Sequence, residues 1–367
     1  MGKSGWKVSG TIVRRAWPSR TGGLVSLALG LATLLHAQQA SEAVPETTIS
    51  VDVRLVRILA TVKDPSGNAI GTLDKSAFTI RDNGAPQTIS VFEHQTDQPL
   101  NVAVLIDNSG STAKDLKYEV DSVTRFLKAL FHEGNPADAA ALYSFNWEIV
   151  RRNGFTRNIA AMDRSLRLLR GDAGTCLYDA ILLAARDIED RPGRRILVVV
   201  TDGGDTTSKT DFNRAVEAAQ LADAVIYPIL VVPITNNAGR NTGGENALTT
   251  FAQRTGGRVF EPTLGSELDH AFDQILKDLR TQYFIGFYPK DVPITTNRFH
   301  PLDVSVTTPG LRVVARSGYY GEALRAATSA SPNSGARISV APGDETTRVP
   351  KKPVPQPQGK PPIRKGP

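Results

Sequence analysis

The sequence predicts an α/β protein: a doubly wound, mostly parallel sheet with helices on both faces, inserted in or flanked by a small β-sandwich domain. Three observations carry this. Between residues 98 and 282, continuous apolar runs such as "NVAVLID" (101–107) and "RILVVV" (195–200) alternate with segments of helical period. Strands buried on both faces lose the in–out alternation of a half-exposed sheet, so these runs point to parallel strands covered by helices. On either side, residues 48–97 and 283–322 show alternating, β-branched stretches with turn signals and no helical period. Two of the apolar strands also end abruptly on oxygen-bearing residues, which is where a doubly wound sheet binds ligands.

Taken in order, residues 1–37 resemble an export signal. Lys3, Lys7, Arg14, Arg15 and Arg20 precede the apolar run "GGLVSLALGLATLLHA", and Ala37 offers a small residue for cleavage. An uncleaved single-pass anchor is the alternative. Residues 38–47 are small and polar, a linker. In 48–97, "ISVDVRLVRILATV" alternates, "DPSGN" is a turn, and "AFTIRDNGAPQTISVFEH" is strand, Asp-Asn-Gly turn, strand. In 98–282, strands are expected at 101–107, 138–146, 195–201 and 224–232, with a short one at 258–260. Helices are expected near 114–132, 158–169, 177–188, 210–222, 246–254 and 265–281. In 283–322, "YFIGFYP", "HPLDVSVTT" and "LRVVARSGYY" form three strands able to complete the β-domain begun at 48–97. Residues 323–367, rich in Pro, Lys and Ser, cannot bury a core and are expected to lack structure.

Charge excludes one class of function. The formal net charge of +6 sits at the ends. Residues 1–37 carry +5 and residues 321–367 another +5, which leaves −4 for the body. A mildly acidic body does not make a nucleic-acid groove. The basic tail suits association with an anionic envelope, or is simply solvated. Apolar residues make up 40% of the chain, enough for a core. The core must suffice alone, because the one cysteine, Cys176, cannot form an internal disulfide. Its position at a helix start suits packing better than nucleophilic chemistry.

The oxygen clusters follow. "VLIDNSGST" ends a strand on Asp107 and then gives Ser109 and Ser111 at alternate positions; "VVVTDGGD" ends another on Asp202. Between them, "GDAGTCLYDAI" places Thr175 in a Gly-flanked turn before a helix. Two carboxylates and three hydroxyls are hard donors, suited to Mg²⁺, Mn²⁺ or Ca²⁺ and not to zinc. Such a set leaves the coordination shell incomplete and the ion electrophilic. Asp205 and Asn108 are assigned to turns, Asp179 to the N-terminus of its helix, and Trp147 to packing. The five histidines, at 36, 94, 132, 270 and 300, show no ligand spacing. Arg170-Gly171-Asp172 is a tripeptide of a kind that arises by chance.

Asp107, Ser109, Ser111, Thr175 and Asp202, in this order and on these elements, resemble the metal-ion-dependent adhesion site of von Willebrand factor A domains. The flanking stretches "AFTIRDNGAPQTISVFEH" and "VTTPGLRVVARSGYY" resemble exported bacterial von Willebrand factor A-related proteins, and the likeness covers residues 48–320. It implies that the Ser and Thr oxygens bind the ion directly and that an Asp acts through water. It also implies a protein partner offering an Asp or Glu carboxylate, in adhesion or envelope assembly outside the cytoplasm. The alternatives are a structural envelope protein with a vestigial site and a metal-dependent hydrolase. "DNSGS" superficially matches the strand end of haloacid dehalogenase-type phosphatases. There, however, Ser109 stands where an acid–base Asp is needed, and Ser cannot supply that proton chemistry. No Gly-x-Ser-x-Gly elbow or phosphate-binding Gly-Lys loop is present. No enzyme is expected.

Overall fold

The computed structural model describes residues 55–94, 98–112, 116–132, 134–231, 242–263, 265–292, 299–321 and 338–340. The export signal expected at 1–37, the linker at 38–47 and most of the tail at 323–367 lie outside them. No helix among the described residues is long and apolar enough to cross a membrane.

The chain begins with β1 (Val56–Lys63), which turns at Asp64–Asn68 into β2 (Ala69–Ile70). A single 3-10 turn, Lys75–Ala77, leads to β3 (Phe78–Asp82), β4 (Ala85–Gln87) and β5 (Ile89–Glu93). The β3–β4 hairpin turns on Asn83 and Gly84, both at positive φ (49° and 84°). Those are the residue types that a two-residue hairpin turn twisted with its strands requires.

The α/β segment follows. It runs β6 (Leu100–Asp107), α1 (Leu116–His132), β7 (Ala139–Phe145), β8 (Ile149–Thr156), α2 (Ile159–Arg167), α3 (Leu177–Ile188) and β9 (Arg194–Thr201). Then come α4 (Phe212–Leu221), β10 (Ala224–Leu230), α5 (Thr242–Thr255) and α6 (Ser266–Thr281). β6, β7 and β10 are buried at every position, which is why they appear in the sequence as unbroken apolar runs. Alternate residues of β6 serve opposite faces. Val102, Val104 and Ile106 pack with α1, α2 and α6; Ala103 and Leu105 pack with α3, α4 and α5.

The central sheet runs β10-β9-β6-β7-β8, and β6 pairs in parallel with both β7 and β9. It is mixed because β8 runs antiparallel to β7. The sequence predicts no strand at 149–156. After its first two residues β8 is half-exposed, and "RRNG" interrupts both the apolar run and the alternation that mark a strand. The short strand expected at 258–260 is a single bridge from Phe260 to Ile229.

The chain closes with β11 (Tyr283–Phe287), β12 (Phe299–Val306), β13 (Arg312–Val314) and β14 (Gly318–Tyr320). These strands pair with the first ones: β1 with β11 and β13, β3 with β12. Two antiparallel sheets result, ordered β13-β1-β11-β5 and β14-β12-β3-β4. Val56, Ile58, Ile80, Ile285, Phe287 and Tyr319, drawn from both sheets, share one apolar cluster. A last strand, β15 (Ile338–Val340), pairs in parallel with the outer edge of β8. It falls within the tail expected to lack structure. An open strand edge presents unpaired backbone groups, and "ISV" is a segment apt to fill one.

Candidate metal site

From β6 the chain crosses to β7 on one side and later returns to β9 on the other. Strand order therefore reverses at the β6–β9 seam, and a crevice opens beyond the C-terminal ends of that pair. Asp107 is the last residue of β6, Thr201 the last of β9, and Asp202 follows at once. Parallel pairing in register, Ile106 opposite Val200, brings Asp107 level with Thr201 and leaves Asp202 one residue beyond.

Asp107 is fully buried. Thr201 Oγ1 donates to its Oδ2 at 2.6 Å, and the Ser109 backbone N–H donates to its Oδ1 at 2.8 Å. Burial pushes its carboxyl up to about 6; the Thr201 and Ser109 bonds pull the other way, and the neighbouring Asp202 charge adds to the rise. A cation beside it would remove that penalty. The loop beyond is fixed by Thr112, whose Oγ1 donates to the carbonyls of Asp107 (2.9 Å) and Ser109 (3.1 Å). This brings Ser109 Oγ and Ser111 Oγ to 3.1 Å from each other.

Thr175 reaches the same edge through backbone ties. Asp172 N–H donates to Asn108 O at 3.0 Å, which joins the 172–175 loop to the Ser109 loop. On its other side, Thr206 and Thr207 N–H donate to Thr175 O (2.8 and 3.1 Å), and Thr175 N–H donates to Thr206 Oγ1 at 2.9 Å. Gly174 allows the turn: its φ is +80°, and a Cβ there would lie 3.1 Å from Trp147 Cβ. All five expected residues thus lie on three stitched loops at one sheet edge. Ser109 and Thr175 are buried, Asp202 is half-buried and Ser111 is exposed. Among the described residues no group of three or more His, Cys, Asp or Glu side chains is placed to hold a metal. Any cation here depends on the hydroxyls.

The neighbouring residues refine the sequence assignments. Asn108 Nδ2 donates to Arg170 O at 2.6 Å, away from the cluster. Asp205 accepts from Tyr178 N–H and from Ser208 Oγ, so it closes the first turn of α3. Asp179 lies in the first turn of α3, as expected, and has a second role. It accepts from the N–H groups of Lys209 and Thr210, and so anchors the loop after Asp202. Trp147 is not packed inside: it is 58% exposed, and its Nε1 donates to Asp172 Oδ2 at 3.1 Å. Cys176 is buried, and burial pushes its thiol up to about 12, beyond use as a nucleophile. Thr112, Thr201 and Thr206 were not singled out from the sequence. A polar residue closing the apolar run "ILVVVT" was the one available signal, for Thr201.

Residues 102–205 match the family model of the von Willebrand factor type A domain. No curated protein matches the chain. Among solved structures, it is similar to the von Willebrand factor domain of the type V pili tip protein Mfa5 from Porphyromonas gingivalis. Identity is 17%, covering 48% of this chain and 94% of that one, with a TM-score of 0.41. It is also similar to the conserved hypothetical protein BatB from Bacteroides thetaiotaomicron, at 18% identity over 50% of this chain and 100% of that one, TM-score 0.39. By this family match, residues 102–205 are similar to a von Willebrand factor type A domain.

Proposed function

We propose that this chain is an exported protein-binding module, serving adhesion or envelope assembly, whose three loops hold a divalent cation of the Mg²⁺, Mn²⁺ or Ca²⁺ type. Ser109, Ser111 and Thr175 offer hydroxyl oxygens to it directly, and Asp107 and Asp202 supply the balancing charge. One observation supports this most. Neighbouring ligands on an octahedral ion at about 2.1 Å stand about 3.0 Å apart, and the Ser109 and Ser111 oxygens are separated by 3.1 Å. Asp107 already accepts from Ser109 and Thr201, which suits contact through water. When bound, the cation would supply an open position for an Asp or Glu carboxylate of a protein partner. Trp147 and Asp172, exposed beside Thr175, form the rim that such a partner meets.

The serine hydroxyls bond to each other and the Cys176 thiol is buried, which favours binding over hydrolysis. Calorimetric titration of Mg²⁺, Mn²⁺ and Ca²⁺ into chelator-stripped protein tests the reading. One saturable site is expected, weakened by well over about tenfold in Asp107→Ala/Asp202→Ala. Equal affinity in the double variant would sink it. Metal that raises the melting temperature without enabling capture of any carboxylate-bearing protein would favour a structural role.

A further inference from the structure

A groove of about 950 Å³ lies between the C-terminal halves of α1 and α6. α1 begins beyond Asp107 and ends before β7 starts, so its last turns lie at the end of the sheet opposite the candidate metal site. The two helices run side by side in the same direction. Arg125 Nη2 donates to Asp269 Oδ1 at 2.7 Å, the Phe126 and Phe272 ring centroids are 4.9 Å apart, and Arg280 Nη2 donates to Ala129 O at 3.2 Å. Past the two phenylalanines the groove opens, lined by Ala129, Phe131, Ile159 and Leu276.

Arg125, Lys128, His132, Lys277 and Arg280 also line it, against one carboxylate, Asp273. Several of these charges already have partners. Arg125 is held by Asp269 and Ser122, and Arg280 reaches Ala129 O. The last turn of α1 has a further donor, Arg157 Nη2, at 3.0 Å from Phe131 O. Asp163, which feels the charge of Lys128, already accepts from Arg167 and Thr124. Lys128 and Lys277 are both exposed, and among the described residues neither ammonium makes an ion pair or a hydrogen bond. Two accessible ammoniums thus stand against Asp273 beside an apolar wall.

That combination suits a ligand that is apolar along its length and anionic at one end. The walls are helices, whose N–H and C=O groups bond within the helix. A peptide laid against them would leave its own amides facing apolar side chains, which is costly; a hydrocarbon chain has no such groups. The volume falls within the range of about 300–1,000 Å³ that small-molecule sites occupy and exceeds what an inorganic anion fills.

We propose that this groove binds one long-chain fatty acid, its hydrocarbon chain against Phe131, Ile159 and Leu276 and its carboxylate between Lys128 and Lys277. Because the lysines come from α1 and α6, the bound ligand would tie the two helices together.

The test is fluorescence titration of the full chain with cis-parinaric acid, kept below its micelle-forming concentration. Displacement by oleate, oleyl alcohol and a short apolar peptide with a free C-terminal carboxylate follows. One saturable site is expected. Oleate should displace the probe, and oleyl alcohol, which lacks the charge, should do so at least about tenfold more weakly. Lys128→Gln/Lys277→Gln changes two exposed side chains. It should keep the parent's circular dichroism spectrum and melting temperature and lose at least about tenfold in oleate affinity. Asp202→Ala should leave oleate binding unchanged, which separates this site from the metal reading. Non-saturating fluorescence, oleyl alcohol displacing as well as oleate, or undiminished oleate affinity in the double lysine variant would each overturn the proposal. So would tighter displacement by the peptide, which would assign the groove to a protein partner instead.

Discussion

Asp107 and Thr201 illustrate how single residues set the candidate site. A carboxylate with no solvent exposure is stable as an anion only if hydrogen bonds replace water, and Thr201 Oγ1 provides the shorter of its two bonds, 2.6 Å. Thr201→Val keeps the shape of the side chain and removes that donor. Hydrogen bonds to charged groups contribute about 1.5–3 kcal/mol, so a loss of that order in urea-unfolding free energy at neutral pH is expected. A change below about 0.5 kcal/mol, the range of surface substitutions, would mean that Asp107 is not held as an anion by Thr201. The residue types of the five candidate ligands were legible in the sequence. The roles of Thr201, Thr112 and Thr206 were not, because each acts through a bond to a residue on another loop or turn whose position only the fold provides.

At the scale of elements, the site depends on strands whose ends are fixed in register. Asp138, one residue before β7, accepts the Leu100 N–H at 2.7 Å and so aligns the starts of β6 and β7. Burial raises its carboxyl above the ordinary value of 3.8, outweighing the Leu100 bond that favours the anion. The folded protein therefore holds this proton to higher pH than the unfolded chain does. Stability from this group is fully present below the unfolded value and is lost as pH rises through the folded one. Asp138→Asn keeps an acceptor for Leu100 and cannot ionise. It should be more stable than the parent at about pH 7, and the difference should close towards about pH 4. Urea midpoints across that range check this, and a variant less stable than the parent at neutral pH would refute it. Strands β6, β9 and β10 were legible as apolar runs. β8 was not, because a half-exposed strand rich in Arg and Asn carries its signal in its pairing with β7, not in its own periodicity.

Across the whole molecule, the flanking strands and the α/β segment are joined by buried ions. Lys63 at the end of β1 donates to Asp278 on α6 at 2.9 and 3.0 Å, and Arg258 Nε donates to Asp278 Oδ2 at 2.9 Å. Burial pulls the Lys63 pKa down against the pull of Asp278, so the lysine depends on this partner for its charge. Asp278→Ala would strand Lys63, whose side chain is only 10% exposed. Breaking one side of a buried pair costs about 3–5 kcal/mol, and a fall of that order in unfolding free energy is expected. Lys63→Met should cost less, because Arg258 still answers Asp278. Equal losses in the two variants would show that the packing of α6, not the ion pair, carries the join.

By itself the sequence determined the period of each strongly patterned segment, the two strands that end in acid, and the order of oxygen donors along the chain. These are local properties: burial on one or both faces is written into neighbouring residues. The tertiary structure alone decided that β6 lies beside β9, that β8 folds back on β7, that Trp147 is exposed beside Thr175, and that α1 and α6 wall one groove. Those outcomes depend on which distant strands pair. That choice is settled by the joint burial of the whole core, and no short stretch of the chain records it.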